Sequence, residues 1–336
     1  MDKIFCFGEL LLRYSPAGNT GWINNKVPVF LGGSELNVAM ALARWKIPVR
    51  YFTALPINFL AKEIEDFIRI KNIDTSCIRH EGKRIGLYYL QQDMDLKHSS
   101  VFYDRENSSF SDLQPGMIDW DTALNGASWF HFSAISPSLN ENVAAVCKEG
   151  LDAAKAKGLK ISVDLNFRKS LWQYGKAPED VMTSLVKYCD IIMGNIWSVK
   201  ALLGIEVDEL IHHRDSVSYF RSSGFVGEIL QKKFPKCSLV ANTFRMDEEQ
   251  GLKYFAALHS GNMNYFSPEF FTDSFTSKVG TGDCFMASLI YGLYHQQPLQ
   301  QVIDFAAAAA FGKLQEETDY SNQEITSILE TLNAYG

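Results

Sequence analysis

The sequence predicts an α/β fold with a largely parallel sheet and a small second sheet set apart from it. Three observations carry this. Short apolar runs alternate with segments of helical period, and strands separated by helices make β-α-β units. Residues 9–31 and 85–104 break that rhythm, with apolar or alternating runs and no helical period between them. The 336 residues, 46% hydrophobic and 21% charged, have an ordinary globular composition and can bury a large core as one domain over 1–336.

Taken in order, residues 3–7 (KIFCF) read as a buried strand. Residues 34–45 (SELNVAMALARW) have helical composition, with Ser34 as the N-cap. Residues 50–55 (RYFTAL) read as a second strand. Leu60, Ile64, Phe67 and Ile68 then share one helical face. Residues 142–157 form a helix stopped by Gly158, leading into a strand over 160–167 (KISVDLNF). Residues 178–189 are helical, with Pro178 suited to the first turn. Strands over 190–193 and 238–243 and a short helix over 196–203 follow. Helices over 282–295 and 299–317 close the chain. In the two segments that break the rhythm, LLLRYSP, VPVFL, IGLYYLQQ and SSVFYDR read as antiparallel strands. Residues 206–223 are polar with no firm period, and His212 and His213 within them read as surface residues.

The net charge of −7 gives no basic footprint for nucleic acid. An anionic substrate must therefore meet a local positive site. The six cysteines are widely spaced and contain no Cys-x-x-Cys pair, which fits free thiols rather than disulfides or zinc. The N-terminal run is interrupted by Gly8 and Glu9, and the longest small-apolar run, 305–312, is too short to span a bilayer. These features lead us to expect a soluble, cytoplasmic protein without a membrane partner.

No P-loop, no G-x-G-x-x-G after the first strand, no G-x-S-x-G elbow and no metal-ligand histidine spacing occur. The strongest local signal is VGTGDCF, 279–285. Two glycines and an aspartate stand where a loop enters an apolar helix. Free backbone N–H groups at such an end bind anions, and Asp283 beside them can accept a proton from an attacking hydroxyl. A plain helix entry explains the same letters. In LGGSELNVA, Gly33 allows close backbone approach and Asn37 can hold hydroxyls. Asp164, Asn166 and Arg168 alternate at the end of a strand, where α/β folds bind ligands. Tyr88, Tyr103 and Arg105 lie on the inserted strands, and Arg105 can equally be a solvated surface group there.

These segments, in this order, resemble the ribokinase-like (PfkB) carbohydrate kinases over nearly the whole chain. GTGDCF is similar to that family's C-terminal signature and LGGSELNVA to its N-terminal Gly-Gly motif. GLYY (86–89), VFYDR (101–105), WFHFSAISPSL (129–139) and VDLNFRKSLW (163–172) are similar to the 2-keto-3-deoxygluconate kinases within it. The resemblance implies a three-layer α/β/α sandwich with a β-sheet lid, and ATP- and Mg²⁺-dependent phosphorylation of a sugar hydroxyl. It implies Asp283 as general base, with Gly280, Thr281 and Gly282 as the anion hole. It places Gly33, Asn37, Tyr88, Tyr103, Arg105 and Arg168 on a sugar acid, and Asp164, Asn166, Asn195 and Thr243 on the nucleotide side. No protein metal ligand is assigned. It also implies a homodimer through the lid.

The chain departs from the family at Ser198, where a metal-motif Glu is usual, and at Ser277, where an Asp is usual, so a K⁺ requirement stays open. FRMDEEQG after the strand at 238–243 replaces a Gly-rich nucleotide loop, and Asp104 replaces an aromatic. Two further readings follow: a fructokinase or other neutral-sugar kinase, and a sugar-binding protein with weak or no kinase activity.

Overall fold

The computed structural model describes residues 2–16, 22–23, 26–92, 99–207 and 215–335. His212 and His213 lie outside the described residues. The strands are β1 (Lys3–Phe7), β2 (Leu11–Tyr14), β3 (Val29–Gly32), β4 (Val49–Phe52), β5 (Ala54–Leu55), β6 (Ile73–Asp74), β7 (Arg79–His80), β8 (Gly86–Gln92) and β9 (Ser99–Asp104). They continue as β10 (Ala127–Ser133), β11 (Lys160–Asp164), β12 (Ile191–Met193), β13 (Leu239–Glu248), β14 (Gly251–Ser260), β15 (Met263–Phe266) and β16 (Phe270–Thr272). The helices are α1 (Ser34–Arg44), α2 (Phe59–Ile70), α3 (Trp120–Ala123), α4 (Glu141–Ala156), α5 (Pro178–Val186), α6 (Ile196–Leu203), α7 (Ser216–Lys233), α8 (Thr281–Tyr294), α9 (Leu299–Lys313) and α10 (Ile325–Tyr335).

The main sheet runs β15-β14-β13-β12-β11-β10-β1-β4-β6, with β16 beside β14. It is parallel from β6 to β13 and antiparallel beyond. Strand β1 is central because both its faces are apolar. Ile4 and Cys6 enter one buried cluster, with α1, α2, α8 and α9, while Phe5 and Phe7 enter the other, with α4, α5, α6 and α7. Two helical layers on one sheet give the three-layer sandwich. The chain leaves β1 toward β4 and later returns to its other side with β10, so the strand order reverses there. The carboxyl ends at such a reversal open a crevice.

Above that crevice lies a four-stranded sheet in the order β3-β2-β8-β9. This is the lid expected from 9–31 and 85–104, with one correction. Its outer pairs are antiparallel, but the central pair β2–β8 is parallel. The two insertions leave the core in the same direction, and each closes its own hairpin. Val29, Val101 and Phe102 of the lid stay exposed.

Other boundaries move for local reasons. The strand expected over 50–55 is two, since Thr53 leaves the sheet and its hydroxyl accepts from Leu10 N at 3.2 Å. Strand β5 then pairs with β7 in a separate ribbon. The strand expected over 160–167 ends at Asp164. FRMDEEQG is not a loop, because β13 runs to Glu248 and turns tightly into β14. The polar stretch from Ser216 onward is helix α7, capped by Asp215. Among the described residues no helix is long and apolar enough to cross a membrane, and all six cysteines are free.

Candidate active site

One cavity of about 1070 Å³ lies between the lid and the carboxyl ends of the strands. Every residue singled out from the sequence for a site role lines it, from Gly33 and Asn37 to Asp283. What the side chains do there differs in several cases from the sequence reading.

Asp283 sits in the first turn of α8, 7% exposed. Ser34 Oγ donates to its Oδ1 at 2.6 Å and Asn37 Nδ2 to its Oδ2 at 2.7 Å. Burial raises its pKa, and these two hydrogen bonds oppose the rise. The first intrahelical bond of α8 runs from Cys284 N to Gly280 O at 2.9 Å, so the N–H groups of Thr281, Gly282 and Asp283 have no intrahelical partner. Gly280 has φ 75°, and a Cβ there would run into the Asp319 carbonyl oxygen. Only glycine turns the chain at this point. The loop is further pinned by Thr281 Oγ1, which donates to Lys278 O at 2.5 Å.

Ser34 is not the N-cap of α1. Gly33 is, at φ 132°, where a Cβ would meet the Glu9 carbonyl oxygen. Ser34 is the first helical residue, so its hydroxyl turns away from the helix end and reaches Asp283. It also accepts from Asn166 Nδ2 at 3.2 Å. Asn166 is thereby tied to Asp283 through Ser34, on the proton-accepting side of the cavity.

Strand alternation does not align Asp164, Asn166 and Arg168, because the strand has ended. Asp164 is buried and accepts from Asn166 N at 3.1 Å. Arg168 is exposed, and its one hydrogen bond goes to the Phe167 carbonyl. Burial, and after it the charge of Asp283, push the Asp164 pKa up to about 8. Asp164 lacks the two side-chain donors that oppose the rise at Asp283, so the effect of burial is less compensated there.

This arrangement has a measurable consequence. A carboxyl with a folded pKa near 8 and an unfolded value near 3.9 keeps its proton in the folded state across that window. Its stabilising contribution is complete below pH about 4 and is lost as pH rises toward 8. Buried Glu35, raised to about 7 chiefly by desolvation, acts in the same direction. The melting temperature of the ligand-free protein should fall between pH 5 and 8.5, and Asp164→Asn should flatten the fall. A slope unchanged in Asp164→Asn would refute the assignment.

Arg105 is neither solvated nor free. It is 5% exposed, and Glu9 takes it as a buried ion pair, with Arg105 Nε donating to Glu9 Oε2 at 2.6 Å. Ser108 Oγ holds the other Glu9 oxygen at 2.5 Å. Tyr88 and Tyr103 face each other across β8 and β9, with ring centroids 6.0 Å apart. Tyr88 Oη donates to Asp319 Oδ2 at 2.6 Å. Asn195 caps α6, its Oδ1 accepting from Ser198 N at 2.8 Å and from Ser198 Oγ at 3.0 Å. Thr243 lies on the cavity face of β13.

Sequence reasoning missed Glu9, Glu35, Arg245 and Asp319. Glu35 stands inside a segment quoted for its glycines, and Glu9 is named only as a break in the N-terminal apolar run. They carried a signal of their own, as acids set in apolar runs. Asp319 had none, since its partners Arg13 and Tyr88 lie more than 200 residues away in the chain.

A family model for the pfkB family carbohydrate kinases matches residues 1–217 and 249–325. The chain belongs to that family. It is a phosphotransferase acting on a sugar hydroxyl, and the family uses ATP and Mg²⁺. It is 25% identical to a 2-dehydro-3-deoxygalactonokinase of Haloferax volcanii, over 92% of this chain and 89% of the relative. It is 23% identical to a probable chloroplastic fructokinase of Arabidopsis thaliana, over 89% and 72%. The crystal structure of a 2-dehydro-3-deoxygluconokinase from Thermotoga maritima superposes with a TM-score of 0.89. That match has 29% identity and covers 99% of this chain and 98% of that one. The ribokinase-like fold inferred from the sequence motifs is thus the fold of this pfkB kinase.

Proposed function

We propose that this kinase phosphorylates 2-keto-3-deoxygluconate at its 6-hydroxyl, with Asp283 as the general base. The observation that carries the reading is the Asp283 carboxyl group, held by Ser34 and Asn37 beside the unbonded N–H groups opening α8. The hydroxyl oxygen forms a bond to the γ-phosphorus, the bond to the leaving ADP breaks, and the hydroxyl proton passes to Asp283. The amides of Gly280, Thr281 and Gly282 receive the charge that develops on the phosphoryl oxygens. The Asn37 Oδ1 atom is buried without a partner, an acceptor suited to a second sugar hydroxyl. Tyr88 and Tyr103 cover the sugar from the lid and exclude water.

The donor set fits ATP with Mg²⁺. No three His, Cys, Asp or Glu side chains form a metal cage among the described residues, but Mg²⁺ carried on a triphosphate needs only one or two carboxylates. Asp164 meets that need, and a bound cation would restore its ionised form. When bound, ATP supplies the phosphoryl group and Mg²⁺ its counter-charge. Asn195 and Thr243 line the same cavity.

A neutral sugar is the second reading, favoured by one observation. Glu9 already neutralises Arg105, so of the two arginines assigned to the sugar acid Arg168 is the one left for its carboxylate. Coupled ADP release with 2-keto-3-deoxygluconate, fructose, ribose and gluconate in parallel decides between them. Turnover confined to the keto-deoxy acid is expected. Turnover on fructose or ribose but not on the acid overturns the sugar-acid reading and leaves the kinase.

A further inference from the structure

The hairpin β13–β14 brings a second cationic element into the cavity. Thr243, Arg245 and Asp247 alternate on one face of β13, and all three line the cavity. Arg245 stands directly opposite Tyr254 in the antiparallel register, so the two side chains share that face. Lys278 Nζ takes Asp247 at 2.9 Å. Arg245 itself has no hydrogen bond or ion pair among the described residues.

Two further observations point to a ligand. Tyr254 is 3% exposed, lines the cavity, and its hydroxyl has no hydrogen-bond partner. Buried polar groups are nearly always paired, so this donor awaits an acceptor. Arg168 is a second guanidinium on the same cavity, its side chain bonded among the described residues only to its neighbour's carbonyl. Arg245 and Arg168 act on each other's charge across the cavity, and a polyanion with many acceptors suits such a pair. Meanwhile Ser198 contributes no acid with which to recruit further metal charge.

We propose that Arg245 and Tyr254 form a polyphosphate clamp, gripping the phosphate chain of the nucleotide donor and supplying positive charge from the protein itself. This rests on the ATP-dependent reading above. Arg245 gives a planar fork suited to two phosphate oxygens, and Tyr254 donates to a third.

Calorimetric titration of the sugar-free protein with ATP–Mg²⁺, ADP–Mg²⁺ and AMP tests the assignment. Arg245→Ala should weaken ATP binding about ten- to hundredfold, the range of a charge-assisted hydrogen bond, and leave AMP unchanged. Arg245→Lys should fall between, and Tyr254→Phe should lose several-fold on ATP alone. Melting temperatures of all three should stay close to the parent, since among the described residues neither the Arg245 side chain nor the Tyr254 hydroxyl makes a geometric hydrogen bond. Unchanged ATP affinity in Arg245→Ala, or an equal loss for ATP and AMP, overturns the clamp alone. A parent protein that binds none of the three nucleotides overturns the ATP reading and the clamp with it.

Discussion

Asp283→Ala should lower kcat by roughly 10²-fold or more and change the KM for ATP little, because a general base acts in the transition state. The geometry argues for this more strongly than the motif does. Both oxygens of Asp283 accept hydrogen bonds, from Ser34 at 2.6 Å and Asn37 at 2.7 Å. Each bond favours the ionised form against the desolvation that opposes it. Asp283→Asn is the sharper test. Its amide can keep both contacts, the oxygen accepting from Asn37 and the nitrogen donating to Ser34 Oγ, so the side chain keeps its volume and neighbours and loses its charge. If Asp283 is the base, both variants lose kcat. A kcat preserved in Asp283→Asn would leave Asp283 only a binding role and return the proton to solvent.

The sequence exposes this site well for a physical reason. Local chemistry such as a glycine at positive φ followed by an acid in the first helical turn leaves a contiguous signature, as in 280–283. The strand-and-helix alternation is equally local, and it yields the parallel core and the separate lid. What a single sequence hides is the partner of each charged group. Arg105 reads as a free contact until Glu9, 96 residues earlier, is seen to hold it. Ser34 reads as a cap because serine before an apolar run usually is one. Here Gly33 takes the cap, and the serine is released to serve Asp283. Strand ends are similarly underdetermined. KISVDLNF alternates far enough to look like eight strand residues, but pairing stops at Asp164 and places Arg168 on an exposed turn.

Asp319→Ala should cost stability on the scale of a broken buried ion pair, about 3–5 kcal/mol, a fall of melting temperature of about 4–7 °C for a chain of this length. Arg13 and Asp319 are 3% and 1% exposed, and Arg13 Nε donates to Asp319 Oδ1 at 2.8 Å. Arg13 also donates to the Glu317 carbonyl at 2.8 Å and stacks over Phe30, 3.9 Å from its centroid. Removing the carboxylate therefore strands a cation that has no route to water. The same residue ties three parts of the site together. Arg13 belongs to lid strand β2, Tyr88 to lid strand β8, and the Asp319 carbonyl packs against Gly280 of the anion hole. Adding Arg13→Met to Asp319→Ala removes the stranded charge and should recover most of the lost melting temperature. It cannot restore the acceptor for Tyr88, so the sugar KM should stay raised while stability returns. That split separates an ion pair that merely stabilises the fold from one that also sets the lid over the substrate. A melting temperature unmoved in Asp319→Ala would contradict the first role, and a sugar KM that recovers with stability would contradict the second.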